Sequence, residues 1–133
     1  MKLTTKSEYS ILELLYMARN DRDDFIKIGP ICDKCDIPRK YLEFLFMILR
    51  QNGYIKTKRG TSGGYKLAKP ASQISIAEII RLMDGALAST ESVSKYFFSE
   101  TPLAKEKKLM KIFKDFRDYI SKKLENLTLA DLV

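Results

Sequence analysis

Five groups of apolar residues repeat along this chain at helical spacing, and two short extended runs lie between the third and the fourth. Tyr9, Leu12, Leu15 and Tyr16 share one face of a helix that opens at the capping-box sequence Thr5-Lys6-Ser7-Glu8 and runs to about Arg19. After a polar loop at 20–24, Ile28, Ile31, Cys32 and Cys35 stand at i, i+3, i+4 and i+7. That spacing predicts a short helix from Lys27 to Cys35 with Pro30 in its first turn. Asp36-Ile37-Pro38 is a tight turn into a third helix, whose core-facing stripe is Leu42, Leu45, Phe46 and Leu49. Pro38 suits a first helical position, where the N–H has no intrahelical partner, and Gly53 supplies the stop. Tyr54–Lys58 and Tyr65–Lys69 read as a β-hairpin joined by Arg59-Gly60-Thr61-Ser62-Gly63-Gly64. Ile76, Ile79, Ile80 and Met83 mark a fourth helix, with Ser75 as N-cap, Glu78 three residues on, and Gly85 near its end.

Residues 86–103 are the least patterned part of the chain, and their Tyr96-Phe97-Phe98 is read as a packing plug rather than a ligand box. From Ala104 to about Asn126 runs a long lysine-rich helix. Leu109, Ile112, Phe113, Phe116, Tyr119, Ile120, Leu124 and Leu127 form one stripe along it. That stripe is too long and too aromatic for water, so a twin helix from a second subunit is its expected cover. The expected fold is therefore mainly α with a small β-hairpin wing: a winged helix-turn-helix plus a long C-terminal dimerisation helix. The expected domains are 1–85 for the winged helix-turn-helix, 86–103 for a connecting, sensor-like loop, and 104–133 for the dimerisation helix and tail.

Charge gives this architecture a partner. The chain has 133 residues, enough for one domain, with 24 basic and 17 acidic side chains and a net charge of +7. Between Pro38 and Pro70 eight basic residues face a single acid, Glu43, so the remainder is neutral in sum. A helix and a glycine-tipped wing that hold the whole excess suit double-stranded DNA, with the helix in the major groove and the wing on the backbone or minor groove. On the helix the expected contacts are Arg39, Lys40, Tyr41 and Glu43. In the wing they are Lys56, Lys58, Arg59, Gly60, Gly63, Gly64 and Lys66. Lys2 reads either as solvated surface or as a phosphate contact beside the reading helix. Glu43 either accepts from cytosine N4 or pairs locally with Lys40 or Arg39. A dimer would set two reading helices on the half-sites of a pseudo-palindromic operator.

The remaining chemistry is sparse. The chain has no histidine and two cysteines, Cys32 and Cys35. In Cys32-Asp33-Lys34-Cys35 the competing readings are a redox pair or half a metal site against two small apolar residues of a core-facing stripe. With no nucleophile–base pair and no phosphate-binding glycine motif opening a helix, an enzyme is not expected. No apolar run reaches the ~20 residues that span a bilayer, and the N-terminus lacks a signal-peptide core, so the expected location is the cytoplasm. The competing functions are a winged-helix protein-interaction module and a redox or metal sensor built on Cys32 and Cys35.

Several segments together resemble one family. They are the opening MKLTTKSEYSILELLYMA, the helix Tyr41-Leu42-Glu43 to Leu49-Arg50, the wing Arg59-Gly60-x-x-Gly63-Gly64-Tyr65 and the ending LENLTLADLV. They resemble the Rrf-two family of bacterial winged helix-turn-helix regulators. The resemblance implies a homodimeric transcriptional repressor or dual regulator on operator DNA, with Arg59 entering the minor groove and Tyr41 and Glu43 at the major groove. Cluster-binding members of that family carry three cysteines between the helix after the wing and the long helix. Here Ala86–Leu103 contains none. Serine does not replace thiolate in ordinary iron–sulfur ligation, so no cluster and no other cofactor is expected. The signal would then come from another protein or a small molecule, as in clusterless members.

Overall fold

The computed structural model describes residues 1–88, 90–95 and 99–133. The Tyr96-Phe97-Phe98 plug lies outside the described residues. The chain forms two compact units, one of Glu8–Ile74 with Thr128–Val133, the other of Met1–Ser7 with Ser75–Leu127.

In the first unit α1 (Thr5–Arg19) contributes all but its first residues, followed by α2 (Ile28–Cys35) and α3 (Arg39–Gln51). Asp36 makes the turn between α2 and α3 by adopting the left-handed conformation at φ 53°, and its N–H donates to the Cys32 carbonyl. A short polar side chain tolerates that region better than a branched one. Pro38 caps α3 from just outside it, one position earlier than its fitness for a first helical turn suggests. Leu42, Leu45, Phe46 and Leu49 are all buried.

The wing pairs β1 (Ile55–Lys58) with β2 (Gly64–Leu67), antiparallel, in the register Ile55↔Leu67, Lys56↔Lys66, Thr57↔Tyr65 and Lys58↔Gly64. Ile55 and Leu67 point inward and are buried. The hairpin extends on its outer side, where Ile26 and Tyr65 exchange backbone hydrogen bonds of 2.8 and 2.7 Å. This close approach explains one glycine: a Cβ on Gly64 would sit 2.3 Å from the Ile26 carbonyl oxygen. The tail returns to the same unit. Leu129 N–H donates to Ile74 at 3.0 Å, the Leu129 side chain is fully buried, and Thr128 and Asp131 form a capping box.

In the second unit α4 (Ile76–Asp84) begins with the expected reciprocal capping box of Ser75 and Glu78 and stops at Gly85, φ 88°. A short 3-10 turn, Pro102–Lys105, precedes α5 (Lys107–Glu125), so the long helix starts three residues after the expected Ala104. Arg81 of α4 binds Glu125 and reaches Ser121 of α5, and Ile76 N–H donates to Leu127 at 2.9 Å. Arg117 donates to the Val93 carbonyl at 2.9 Å. Phe113 packs on a buried cluster of Ala88, Val93 and Met110.

The start of α1 differs from the capping-box expectation. The helix begins at Thr5 itself, and the chain is held there by Asp84 at the end of α4. Its carboxylate accepts from the Thr4 N–H at 3.0 Å, from the Thr4 hydroxyl, and from the Ser7 hydroxyl at 2.7 Å. Desolvation pushes this carboxyl up, but the three hydrogen bonds and nearby Lys6 outweigh it and hold Asp84 below the usual carboxylate range. The expected single stripe on α5 also divides. Phe113 turns inward and Ile120 and Leu124 are half-buried, whereas Leu109, Ile112, Phe116 and Tyr119 remain exposed, the last two by 52% and 66%.

Candidate nucleic-acid interface

The outward side of α3 and the wing border an open groove of about 330 Å³, lined by Glu43, Met47 and Arg50 from the helix and Thr57, Lys58, Arg59 and Tyr65 from the hairpin. Its floor is rigid because the Phe46 and Tyr65 rings pack with centroids 4.4 Å apart. Arg59 stands exposed at the wing tip beside Gly60, φ 100°. The tip can turn so tightly because Gly63 carries no Cβ, which would sit 2.0 Å from the Lys58 carbonyl oxygen. Gly60 and Gly63 thus shape the tip that carries Arg59, while Gly64 admits the Ile26 backbone behind it.

The basic residues divide by what they already hold. Lys40, Arg50, Lys56 and Arg59 are exposed and make no ion pair among the described residues. Lys58 lies 5.9 Å from the Phe25 ring. Lys66 donates to the Arg22 carbonyl at 2.6 Å while remaining a cation directly opposite Lys56. Lys27, which the sequence did not single out, donates to the Gly60 carbonyl at 3.2 Å and ties the wing tip to the start of α2. Lys2 is exposed and belongs to the other compact unit.

Glu43 forms the local pair of its two readings: Arg39 Nε donates to its carboxylate at 3.2 Å, one helical turn away, with both side chains largely in water. An exposed i,i+4 pair is worth about 0.3–0.5 kcal/mol, weak enough to be exchanged for a base or phosphate. Tyr41 is half-buried, and its ring meets Tyr9 edge-on with centroids 5.6 Å apart. Two residues of this face escaped sequence reasoning, Phe44 and Met47, exposed by 43% and 42%. The signal was present, since both fall off the Leu42–Leu45–Phe46–Leu49 stripe.

Cys32 and Cys35 are free thiols, both half-buried, on the first helix of the motif. Burial pushes both upward from the ordinary thiol value; Arg39 opposes this at Cys32 without overcoming it, and Glu13 adds to it at Cys35.

A helix, a turn, a second helix and an antiparallel hairpin, with free cations on the second helix and hairpin, define a winged helix-turn-helix protein. The chain matches the Rrf2 family, described as "Iron-dependent Transcriptional regulator", over residues 3–133. The protein belongs to that family, the Rrf-two family of the resemblance above, and is a transcriptional regulator rather than an enzyme. It is similar to the HTH-type transcriptional regulator IscR of Yersinia enterocolitica, with 34% identity over 134 residues, 100% of this chain and 79% of that one. Among solved structures it is similar to CymR, the global cysteine regulator of B. subtilis, with a TM-score of 0.78 and 26% identity over 99% of this chain and 95% of that one. The oxidised form of Staphylococcus aureus CymR gives a TM-score of 0.71 and 33% identity over 97% of this chain and 93% of that one.

The family description raises the question of iron. Among the described residues no group of three or more histidine, cysteine, aspartate or glutamate side chains is placed to hold a metal ion. The chain's two thiols, Cys32 and Cys35, lie on α2 in one compact unit, while the stretch from Ala86 to Leu103 belongs to the other and has no cysteine. The donor set present does not fit a thiolate-held cluster in that stretch.

Proposed function

We propose that this regulator is a sequence-specific DNA-binding protein that acts as a homodimer on a pseudo-palindromic operator, as a repressor, and without an iron–sulfur cluster. The observation that carries the proposal is the set of cations Lys40, Arg50, Lys56 and Arg59 on the outward side of α3 and the wing, without ion pairs among the described residues, in a chain that is neutral in sum outside Pro38 to Pro70. Arg39, Tyr41 and Glu43 would meet base edges in the major groove, Arg59 the minor groove, and Lys2, Lys58 and Lys66 the phosphates, with Gly60, Gly63 and Gly64 permitting the approach. No described helix is long and apolar enough to cross a membrane. A regulator acting on DNA works in the cytoplasm.

The dimer rests on α5. Leu109, Ile112, Phe116 and Tyr119 stand exposed at i, i+3, i+7 and i+10, a row at the spacing by which paired helices interlock. Phe113, Ile120 and Leu124 would flank that seam. Phe116→Asp should convert dimer to monomer in sedimentation and weaken operator binding without touching a DNA contact; a variant that stays dimeric refutes the seam. The donor set supports the clusterless reading, and in a clusterless regulator the signal would come from a protein or a small molecule.

The deciding test is a competition titration of reduced protein on DNA from upstream of its own gene, against unlabelled random DNA at near-physiological salt. Retained binding against a large excess supports specific regulation. Equal displacement by random DNA refutes it and favours a protein-interaction module that uses the basic face for an acidic partner.

A further inference from the structure

We infer that Phe44 and Met47 form an apolar reading surface on α3 that selects thymine by its 5-methyl group. This rests on the DNA-binding reading proposed above and adds to it a base preference and the residues that carry it.

A single exposed apolar side chain on a helix means little. Here two large ones, Phe44 and Met47, stand at i and i+3 on the solvent side of the second helix of the motif. Unpaired positive charge flanks them: Lys40 lies one turn before Phe44 and Arg50 one turn after Met47, both exposed and free of ion pairs among the described residues, while the neighbouring Glu43 is already paired with Arg39. A partner that fits must be anionic at its margins and apolar at its centre. The major groove of duplex DNA has that layout, with phosphates along both rims and the thymine methyl as the apolar group on its floor. A hydrogen-bonding face would serve guanine or adenine; an aromatic ring and a thioether serve the methyl.

The ring is also held in place. Tyr9 meets Tyr41 edge-on at 5.6 Å and 75°, and Tyr41 contacts Phe44 at 6.3 Å. This chain of rings runs from α1 to the exposed face and gives Phe44 a ring to pack on at its base. A reading surface needs that preorganisation, and a loosely exposed phenylalanine lacks it.

The test uses the full-length protein and a duplex selected by it from a random pool. Each thymine of the selected site is then replaced, one at a time, by deoxyuridine, which removes only the methyl. For the native protein, at least one replacement per half-site should weaken binding about fourfold, the loss expected for one buried methyl. Phe44→Ala or Met47→Ala should bind the selected site more weakly and lose that sensitivity, so that thymine and deoxyuridine duplexes bind it alike at that position. Because deoxyuridine changes only the DNA, the first arm stands whatever the variants do to folding. Selected sites bound tightly but with no deoxyuridine-sensitive position overturn the inference and leave the DNA reading intact. So does a sensitivity that both alanine variants keep in full. If no sequence is enriched over the random pool, the DNA reading fails first and this inference with it.

Discussion

Glu13 is the least comfortable residue in the protein, and its discomfort can be measured. It lies on α1, completely buried, and among the described residues neither carboxylate oxygen has a hydrogen-bond partner, nor does the buried Ser10 hydroxyl one turn earlier. Burial alone pushes the Glu13 carboxyl from the ordinary 4.5 up to about 9, so the folded protein carries it neutral at physiological pH. The folded value lies above the unfolded one. The stability is therefore whole below pH 4.5 and declines as pH rises through the window to about 9, because only the unfolded chain can release the proton freely. At 1.36 kcal/mol per pH unit, the cost at pH 7 is roughly 3 kcal/mol, a large share of a small domain's stability. Glu13→Gln keeps the shape and removes the titration. Urea unfolding of native and variant protein, at one fixed protein concentration and at pH 5.5, 7 and 8.5, should show the variant's advantage widening by about 4 kcal/mol across that range. The amide adds a constant offset for its own unmet hydrogen bonds, which cancels from the slope. Parallel stability curves would show that the carboxyl is not isolated and would refute the reasoning.

Asp84 titrates in the opposite sense. Its folded value lies below the ordinary 3.8, so its hydrogen bonds to Thr4 and Ser7 contribute above that pH and are lost as pH falls through the folded value. Asp84→Asn should cost about 1 kcal/mol at pH 7, given how exposed two of the three bonds are, and should free the Thr4 amide to exchange; unchanged protection there would refute the latch. Cys32 and Cys35, both pushed up by burial, should be alkylated by iodoacetamide at pH 7 more slowly than in the same chain unfolded in urea. Equal rates would refute the upward shift, and faster alkylation in the folded protein would mark them as activated thiols and revive the redox reading. Lys56→Ala should stabilise the free protein by a few tenths of a kcal/mol by relieving repulsion from Lys66 across the hairpin, yet weaken DNA binding and lower its salt slope by about 1. Stability and affinity falling together would refute that division.

Sequence patterning made the architecture legible where local chemistry and tertiary packing agree. Ser75 with Glu78, Gly85, the Asp36 turn and the glycine-tipped hairpin each answer to interactions within a few residues. What sequence could not show are contacts made by residues far apart in the chain. Thr5 and Glu8 read as a capping box, yet the start of α1 is held by Thr4 and Ser7 bonding to Asp84, about eighty positions away. The strand stub at Ile26, which makes Gly64 necessary, is too short to leave a pattern of its own. On α5 every apolar residue fits one periodicity, but a 3–4 repeat is wide enough to serve two faces. Only the position of the Ala88, Val93 and Met110 cluster decides that Phe113 turns in while Phe116 stays out. At the candidate site the cations were legible from charge count alone. Phe44 and Met47 were legible only as residues off the Leu42–Leu45–Phe46–Leu49 stripe, a signal that the charge count does not carry.

The same face shows why charge count identifies a partner better than it explains stability. Lys56 and Lys66 stand opposite each other in the hairpin, a like-charge pair that costs a few tenths of a kcal/mol. Lys66 softens this by donating to the Arg22 carbonyl, which satisfies one of its protons but leaves its charge in place. Among the described residues neither lysine is held in an ion pair, and the acid of α3, Glu43, is engaged by Arg39. A hairpin chosen for folding alone would place an acid opposite one of these lysines, since a cross-strand pair of opposite sign is favourable by a similar amount. The free protein instead keeps the repulsion. A polyanion laid along the wing reverses its sign, because each phosphate neutralised turns a repelling cation into an attracting one and releases counterions. In the proposed DNA complex the destabilising term of the free state would therefore become a binding term, carried by the paired lysines of the two strands.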